Sequence, residues 1–200
     1  MSIIKHTIPI LEYDTNPYAV IDPTHEKLDL DLPKKCVFAF LGDYIDQFAI
    51  HHHAEKVAEF ISATKKYPIY VLNDEGEPIV LCQAPVGAAA ATQILDWLIG
   101  YGVREIISAG SCGCLESFEE STFLVPYKAL RDEGTSYHYV QPSRFIQINE
   151  VAKKAIEETI VEHGMKYQEV MTWSTDGFYR ETPDKVAYRI EEGCSVVEME

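Results

Sequence analysis

Three short stretches of the chain carry residue types that can do chemistry. Gly110-Ser111-Cys112-Gly113 offers consecutive backbone N–H groups and a hydroxyl. That combination makes a nest for a small anion or a hydroxyl, although it also suits a plain strand-to-loop turn. No Gly-Lys-Ser/Thr follows, so it is not the phosphate loop of nucleotide hydrolases. Thr175–Pro183 holds Phe178, which can stack on a planar ring, and Arg180, which can donate to a carbonyl edge. Taken alone, Phe178 suits core packing equally well. Val196-Val197-Glu198-Met199-Glu200 starts as an apolar strand and turns acidic. A carboxylate such as Glu200 accepts two hydrogen bonds and suits a sugar diol, and Met199 supplies an adaptable apolar contact for a ring face.

Other clusters say less. Cys112-x-Cys114 lacks a second Cys or His pair at ligand spacing, which argues against a structural zinc site. His51-His52-His53 falls in a stretch with helical spacing, where adjacent side chains point in different directions and cannot converge on one ion. Arg131–Tyr139 gathers polar and aromatic groups around Gly134, as a solvated loop, a pocket rim or a subunit contact would.

Strands and helices must position these groups. Cys36–Leu41 is a short apolar run that stops at Gly42-Asp43, the pattern of a buried strand ending in a loop. The spacing predicts a helix over Ile45–Thr64. Ile69–Leu72 and Ile79–Gln83 flank Asn73-Asp74-Glu75-Gly76-Glu77 and read as a hairpin. Ala88–Ile99 reads as a helix with Gly102 to stop it, and Glu105–Ala109 as a strand leading into the Gly110 loop. Phe123–Pro126 and Tyr167–Thr172 read as strands, Asn149–His163 and Pro183–Glu192 as helices, and Ser195 onward as the last strand. The alternation predicts an α/β fold with a mixed central sheet and helices on both faces. Residues 1–35 read as an irregular segment packed on the core, and 36–200 as one domain. Ligands of such sheets bind outside the carboxyl ends of the strands, where the Gly42 loop, the Gly110 loop and the Glu198–Glu200 end are expected.

Composition narrows the function. The 200 residues are 46% hydrophobic and 24% charged, which suits a globular chain. A net charge of −15 argues against nucleic acid and against anionic membranes. Five irregularly spaced cysteines suit reduced thiols in a cytoplasmic protein. No run reaches the roughly 18 apolar residues of a membrane span, and the N-terminus has no secretory pattern.

Taken together, Leu41-Gly42-Asp43, Gly110-Ser111-Cys112-Gly113, and Phe178-Tyr179 with Val197-Glu198-Met199-Glu200 resemble the nucleoside phosphorylase family of purine and uridine phosphorylases and related nucleosidases. The resemblance covers most of the chain from Cys36. It implies that Gly42 and Ser111 bind phosphate, and that Glu200 holds the ribose hydroxyls with Met199 beneath the sugar. Phe178 would stack on the base, Cys112, Gly113 and Val197 would line its slot, and Arg180 would read its carbonyls. His6 is implied at a neighbouring subunit's sugar site. No metal or cofactor is implied, phosphate being the co-substrate, and the expected assembly is a homo-oligomer, most simply a hexamer.

Two departures qualify this. Family phosphorylases carry an arginine four residues after the first-loop glycine and another three residues before the second-loop serine. Here those positions are Asp46 and Ser108. Lys65, Lys66, Arg131 and Arg144 are the candidate replacements. The family's catalytic aspartate, a further core strand and a C-terminal helix belong beyond Glu200, so the chain reads as a truncated piece. Phosphorolysis of a purine or uridine nucleoside to free base and ribose 1-phosphate is the leading expectation. Hydrolysis by a nucleosidase and nucleoside binding without catalysis are the alternatives.

Overall fold

A computed structural model describes residues 2–200. In chain order the elements are β1 (Ile3–Ile4), β2 (Tyr13–Asp14), β3 (Lys35–Ala39), α1 (Tyr44–His51), β4 (Glu55–Ile61), β5 (Lys66–Asp74), β6 (Glu77–Gln83) and α2 (Ala88–Gly100). Then follow β7 (Glu105–Ile107), β8 (Gly113–Cys114), β9 (Thr122–Asp132), β10 (Phe145–Gln147), α3 (Glu150–Glu162), β11 (Lys166–Thr175), α4 (Pro183–Glu191) and β12 (Val196–Glu198). The expected α/β class holds, with its mixed sheet present twice, as two sheets of five strands. The chain divides into two compact units. One is Asn16–Ser111 with Glu200, and the other joins the segment through Thr15 to Cys112–Met199.

In the first unit the strand order is β4-β5-β6-β3-β7. Strand β3 runs parallel to β6 and β7, while β4-β5-β6 is an antiparallel meander. The hairpin forms where expected, pairing Leu72 with Ile79. Helix α2 buries Ala91, Ile94, Trp97 and Leu98 in a cluster with Phe38, Ile69 and Val80. Gly102 follows it at φ +127, where a Cβ would meet the Leu32 carbonyl oxygen at 2.5 Å, so only glycine fits that exit. Helix α1 contributes Ile45 and Ala49 to a second cluster with Ala39, Tyr70 and Leu81.

The helix expected over Ile45–Thr64 is wrong in its second half. Helix α1 ends at His51, and Glu55–Ile61 is a strand. His53 takes a left-handed conformation at φ +56, and the Ala54 N–H donates to the Ala49 carbonyl at 2.8 Å, closing the helix end. Glycine, the usual mark of such a stop, is absent. A bulge between Lys56 and Ala58 then brings Val57 and Phe60 into the same core cluster. The bulge gives a strand the three-residue apolar spacing of a helix.

In the second unit the order is β10-β9-β11-β12-β8, with β9, β11 and β12 parallel and β10 and β8 antiparallel edges. Strand β9 is longer than expected because it continues through Pro126. A register shift opposite Val170 and Met171 leaves Tyr127 outside the pairing, and that bulge accommodates the proline. Asn149 caps α3 by accepting from the N–H groups of Val151 and Ala152, and Thr182 caps α4. Leu130, Met171, Trp173, Cys194 and Val197 form the core, with Val186 of α4 packed on it. The first fifteen residues, expected to be irregular, contain the short antiparallel β1–β2 ladder.

A charge cluster braces this unit. Burial pushes the Asp132 carboxyl up. Hydrogen bonds from Lys185, Arg189 and Trp173 more than offset this and hold it below the ordinary aspartate value. The stabilisation is therefore fully present above the unfolded value near 3.9 and is lost as pH falls through the folded value. Asp132→Asn is expected to cost about 1.5–3 kcal/mol at neutral pH. It should also flatten the loss of stability below about pH 4. Urea unfolding of both forms at pH 7 and across the acid range checks this.

Candidate active site

In the first unit, parallel strands β3 and β7 are neighbours, so their following loops leave the sheet at the same end. The Phe40 N–H donates to the Ala109 carbonyl at 2.8 Å, which extends the pairing to the base of both loops. Gly42 stands beyond one strand at φ +57, a conformation that favours glycine, and Gly110-Ser111 beyond the other. The Glu200 side chain reaches this second loop. The Ser111 N–H donates to Glu200 Oε1 at 3.3 Å. A Cβ on Gly110 would lie 2.2 Å from each Glu200 carboxylate oxygen, so the carboxylate rests directly against the glycine backbone. Ser111 and Glu200 are thus brought together from opposite ends of the sequence expectation.

Helix α1 carries Asp46 in its first turn, after the Gly42 loop. Asp46 Oδ1 is buried without a hydrogen-bond partner. Burial, and then the Asp46 carboxylate beside it, push the Tyr70 hydroxyl above the ordinary tyrosine range. Asp46, at one of the two positions where the resemblance implied a cation, thus has its carboxylate turned onto Tyr70.

The four candidate replacement cations are all engaged within their own units. Lys65 donates to Gln83 Oε1 at 2.8 Å, and Lys66 pairs with Glu59 at 3.8 Å. Arg144 pairs with Glu192. Arg131 is buried. It donates to Ser136 and Ser143 at 2.8 Å and to the Gln141 carbonyl at 2.9 Å, and it stacks on Tyr137. Arg131 thus pins the loop that follows it.

In the second unit, β8 is an edge strand, and Gly113 pairs with Val197 of β12. A Cβ on Gly113 would meet Val197 Cγ1 at 3.0 Å. The Val197 side chain itself is buried in the core, so what it offers a ligand is backbone. Cys112 and Cys114 are exposed, whereas Cys36, Cys82 and Cys194 are buried, and burial pushes the Cys36 thiol up to about 12 and the Cys194 thiol to about 11. Phe178 and Arg180 lie in a single 3-10 turn closed by the Arg180 N–H donating to the Gly177 carbonyl at 2.7 Å. The Phe178 ring is 60% exposed, so it is not the core residue it would otherwise be read as. Asp176, just before the turn, accepts from the Gly134 N–H at 2.8 Å.

Glu198 was missed by sequence reasoning. Its carboxylate accepts from the hydroxyls of Thr172, at 3.0 Å, and Ser174 on neighbouring β11. Strand β12 is parallel to β11 with Thr172 opposite Val196 and Ser174 opposite Glu198, so the two hydroxyls share a face with the glutamate. The contact fixes the carboxyl end of β12 immediately before half-buried Met199. The alternation Thr-x-Ser in a strand was the available signal.

The histidines singled out in the sequence are engaged locally. Helix α1 ends at His51, leaving His52 stacked on Phe48 at 4.1 Å and His53 in the helix stop. Among the described residues no three His, Cys, Asp or Glu side chains are grouped to hold a metal. His6 uses Nδ1 to accept from the Ile8 N–H at 3.0 Å. A groove of about 630 Å³ lined by Ser121, Phe123, Met165 and Lys166 lies at the amino-terminal ends of β9 and β11 and holds none of the expected site residues. No helix of the described residues is long and apolar enough to cross a membrane.

The chain belongs to the phosphorylase superfamily, whose family model matches residues 34–200. It is similar to uridine phosphorylase of Haemophilus influenzae, 25% identical over 122 residues, which cover 60% of this chain and 48% of the relative. The chain spans less than half the length of the curated relatives it matches. Its fold matches crystal structures of uridine phosphorylase from Vibrio fischeri ES114, with a TM-score of 0.74, 21% identity and coverage of 92% of this chain and 73% of that one. It also matches AMP nucleosidase from Bacteroides thetaiotaomicron, with a TM-score of 0.70, 25% identity and coverage of 84% and 69%. Relatives of the chain are thus named both as phosphorylases and as a nucleosidase. Nucleoside phosphorylases of this family act without a cofactor.

Proposed function

We propose that the protein cleaves the N-glycosidic bond of a purine or uridine nucleoside by phosphorolysis, releasing free base and ribose 1-phosphate. The observation that carries this reading is the Glu200 carboxylate at 3.3 Å from the Ser111 N–H. A diol acceptor beside an anion nest is what attack at C1′ requires, because the nucleophile must stand next to the sugar it enters. A phosphate oxygen forms the bond to C1′ as the C1′–N bond breaks, and the bonding pair leaves on the base, which is then protonated. Glu200 stabilises the cationic sugar by strengthening its hydrogen bonds to the 2′- and 3′-hydroxyls. Gly42 and Ser111 are assigned to phosphate, Met199 to the sugar face, Phe178 to stacking on the base, Arg180 to a base carbonyl, and the backbone of Cys112, Gly113 and Val197 to the base edge.

A specific observation favours a second reading, hydrolysis. Asp46 stands at one family cation position, and Lys65, Lys66, Arg131 and Arg144 are each held by another partner. Water needs no cation to grip it. Assaying base release from inosine and uridine with and without inorganic phosphate separates the two. Strict phosphate dependence with ribose 1-phosphate as product supports phosphorolysis, and equal release without phosphate sinks it. We assign the working protein to a cytoplasmic homo-oligomer, a hexamer by family precedent, which light scattering in solution tests.

A further inference from the structure

In the second unit, the turn assigned to the base is tied to a loop that a buried cation holds. Strands β9 and β11 are parallel neighbours with Asp132 opposite Thr175, so the segments that follow them leave the sheet at the same end. The segment after β11 carries Phe178 and Arg180. Its own bonds run from the Gly177 N–H to Thr175 Oγ1 at 3.1 Å and from the Arg180 N–H to the Gly177 carbonyl at 2.7 Å. They shape the turn without fixing it to the rest of the unit. Asp176 reaches outside the segment and accepts from the Gly134 N–H at 2.8 Å. Gly134 stands in a fixed frame. Glu133 accepts from the N–H groups of Thr135 and Ser136 at 2.6 and 2.8 Å, and the Tyr137 hydroxyl donates to the Arg131 carbonyl at 3.0 Å. Buried Arg131 holds Ser136, Gln141 and Ser143 through its guanidinium. Phe178, by contrast, is mostly exposed, so the core does little to hold its ring.

We propose that Asp176 is a positioning residue for the base: through the Gly134 N–H it sets the Phe178–Arg180 turn against the loop that Arg131 holds. This inference rests on the assignment of Phe178 and Arg180 to the base under the proposed function. Both of those contacts depend on placement, because a ring must lie over the base and a guanidinium must reach its acceptor within about 3 Å. A turn already set when the nucleoside arrives loses less freedom on binding. Without the Asp176 contact the turn samples other placements, and apparent affinity falls by the fraction that remains competent. The loss falls on the ligand that carries the base and not on phosphate, whose assigned groups, Gly42 and Ser111, lie on other loops. Asp176→Asn keeps a side-chain oxygen that accepts from the same N–H, whereas Asp176→Ala removes the acceptor.

Steady-state kinetics on inosine and uridine, with nucleoside and phosphate varied in turn, test this in the intact protein. Asp176→Ala, checked for a native melting transition, should raise the nucleoside KM about tenfold, as loss of one charge-assisted hydrogen bond allows. The phosphate KM and kcat should stay within about twofold of the wild type. Asp176→Asn should restore most of the loss. An unchanged nucleoside KM in Asp176→Ala, or an equal rise in both KM values, overturns the proposal and leaves phosphorolysis standing. An Asp176→Asn protein as impaired as Asp176→Ala also overturns it. Calorimetric titration with pseudouridine and 9-deazainosine, C-nucleosides that cannot be cleaved, carries the comparison to binding alone, where about tenfold weaker binding to Asp176→Ala is expected. Base release by the wild type without phosphate overturns the phosphorolytic reading, and the C-nucleoside titration then still decides the proposal. Binding of neither C-nucleoside to the wild type overturns the base assignment and the proposal together.

Discussion

Replacing Glu200 by alanine is expected to lower the rate of glycosidic cleavage by roughly 10²–10³-fold, the usual cost of removing one group aimed at charge that develops in the transition state. Glu200 is the acceptor assigned to the ribose diol, and its hydrogen bonds strengthen as positive charge grows on the sugar. The loss should therefore fall on kcat as well as on kcat/KM. A residue that merely held the ground-state ribose would raise KM and leave kcat unchanged. Steady-state kinetics on a ribonucleoside decide between these outcomes. Glu200→Gln keeps the shape and removes the charge, so it should recover only part of the activity. Turnover that survives Glu200→Ala intact would remove Glu200 from the mechanism.

Gly110→Ala should cost about 10²-fold in activity, by the sensitivity of catalysis to displacements on the order of 1 Å. The new methyl would fall 2.2 Å from both Glu200 oxygens, well inside contact distance. The backbone of the loop is tied to β3 through Phe40 and Ala109, so the flexible carboxylate is what gives way. Stability should change little, because Gly110 is exposed and its φ is not in the left-handed range. Gly113→Ala is the contrasting control. There the methyl would press on Val197 in the core at 3.0 Å, so the first effect is a lower melting temperature. A Gly110→Ala protein with full activity would mean that Glu200 works from another position.

Much of the architecture was readable because it is local. The hairpin at Asn73–Glu77, helix α2 with Gly102 behind it, and the capped helices α3 and α4 each carry their signal within a few residues. Strand β4 was missed because its bulge copies helical spacing, and the end of α1 because His53 fills a turn usually marked by glycine. The run of β9 beyond Pro126 was missed because a bulge, invisible in sequence, accommodates the proline. The site motifs stood out by residue type. What their neighbours do with charge did not, since Lys65 and Arg131 look equally available on paper.

The sequence by itself determined the α/β alternation, the glycine turns, and the motifs that place the chain in its superfamily, because these depend on residue type and short spacing. Only the tertiary structure decided which charges are free. It spent Lys65 on Gln83 and Arg131 on its own loop, turned Asp46 onto Tyr70, and laid Glu200 against a backbone N–H 89 residues away. The reason is physical. A charge is satisfied by whatever the fold brings within about 3–4 Å, and that distance has no counterpart in separation along the chain.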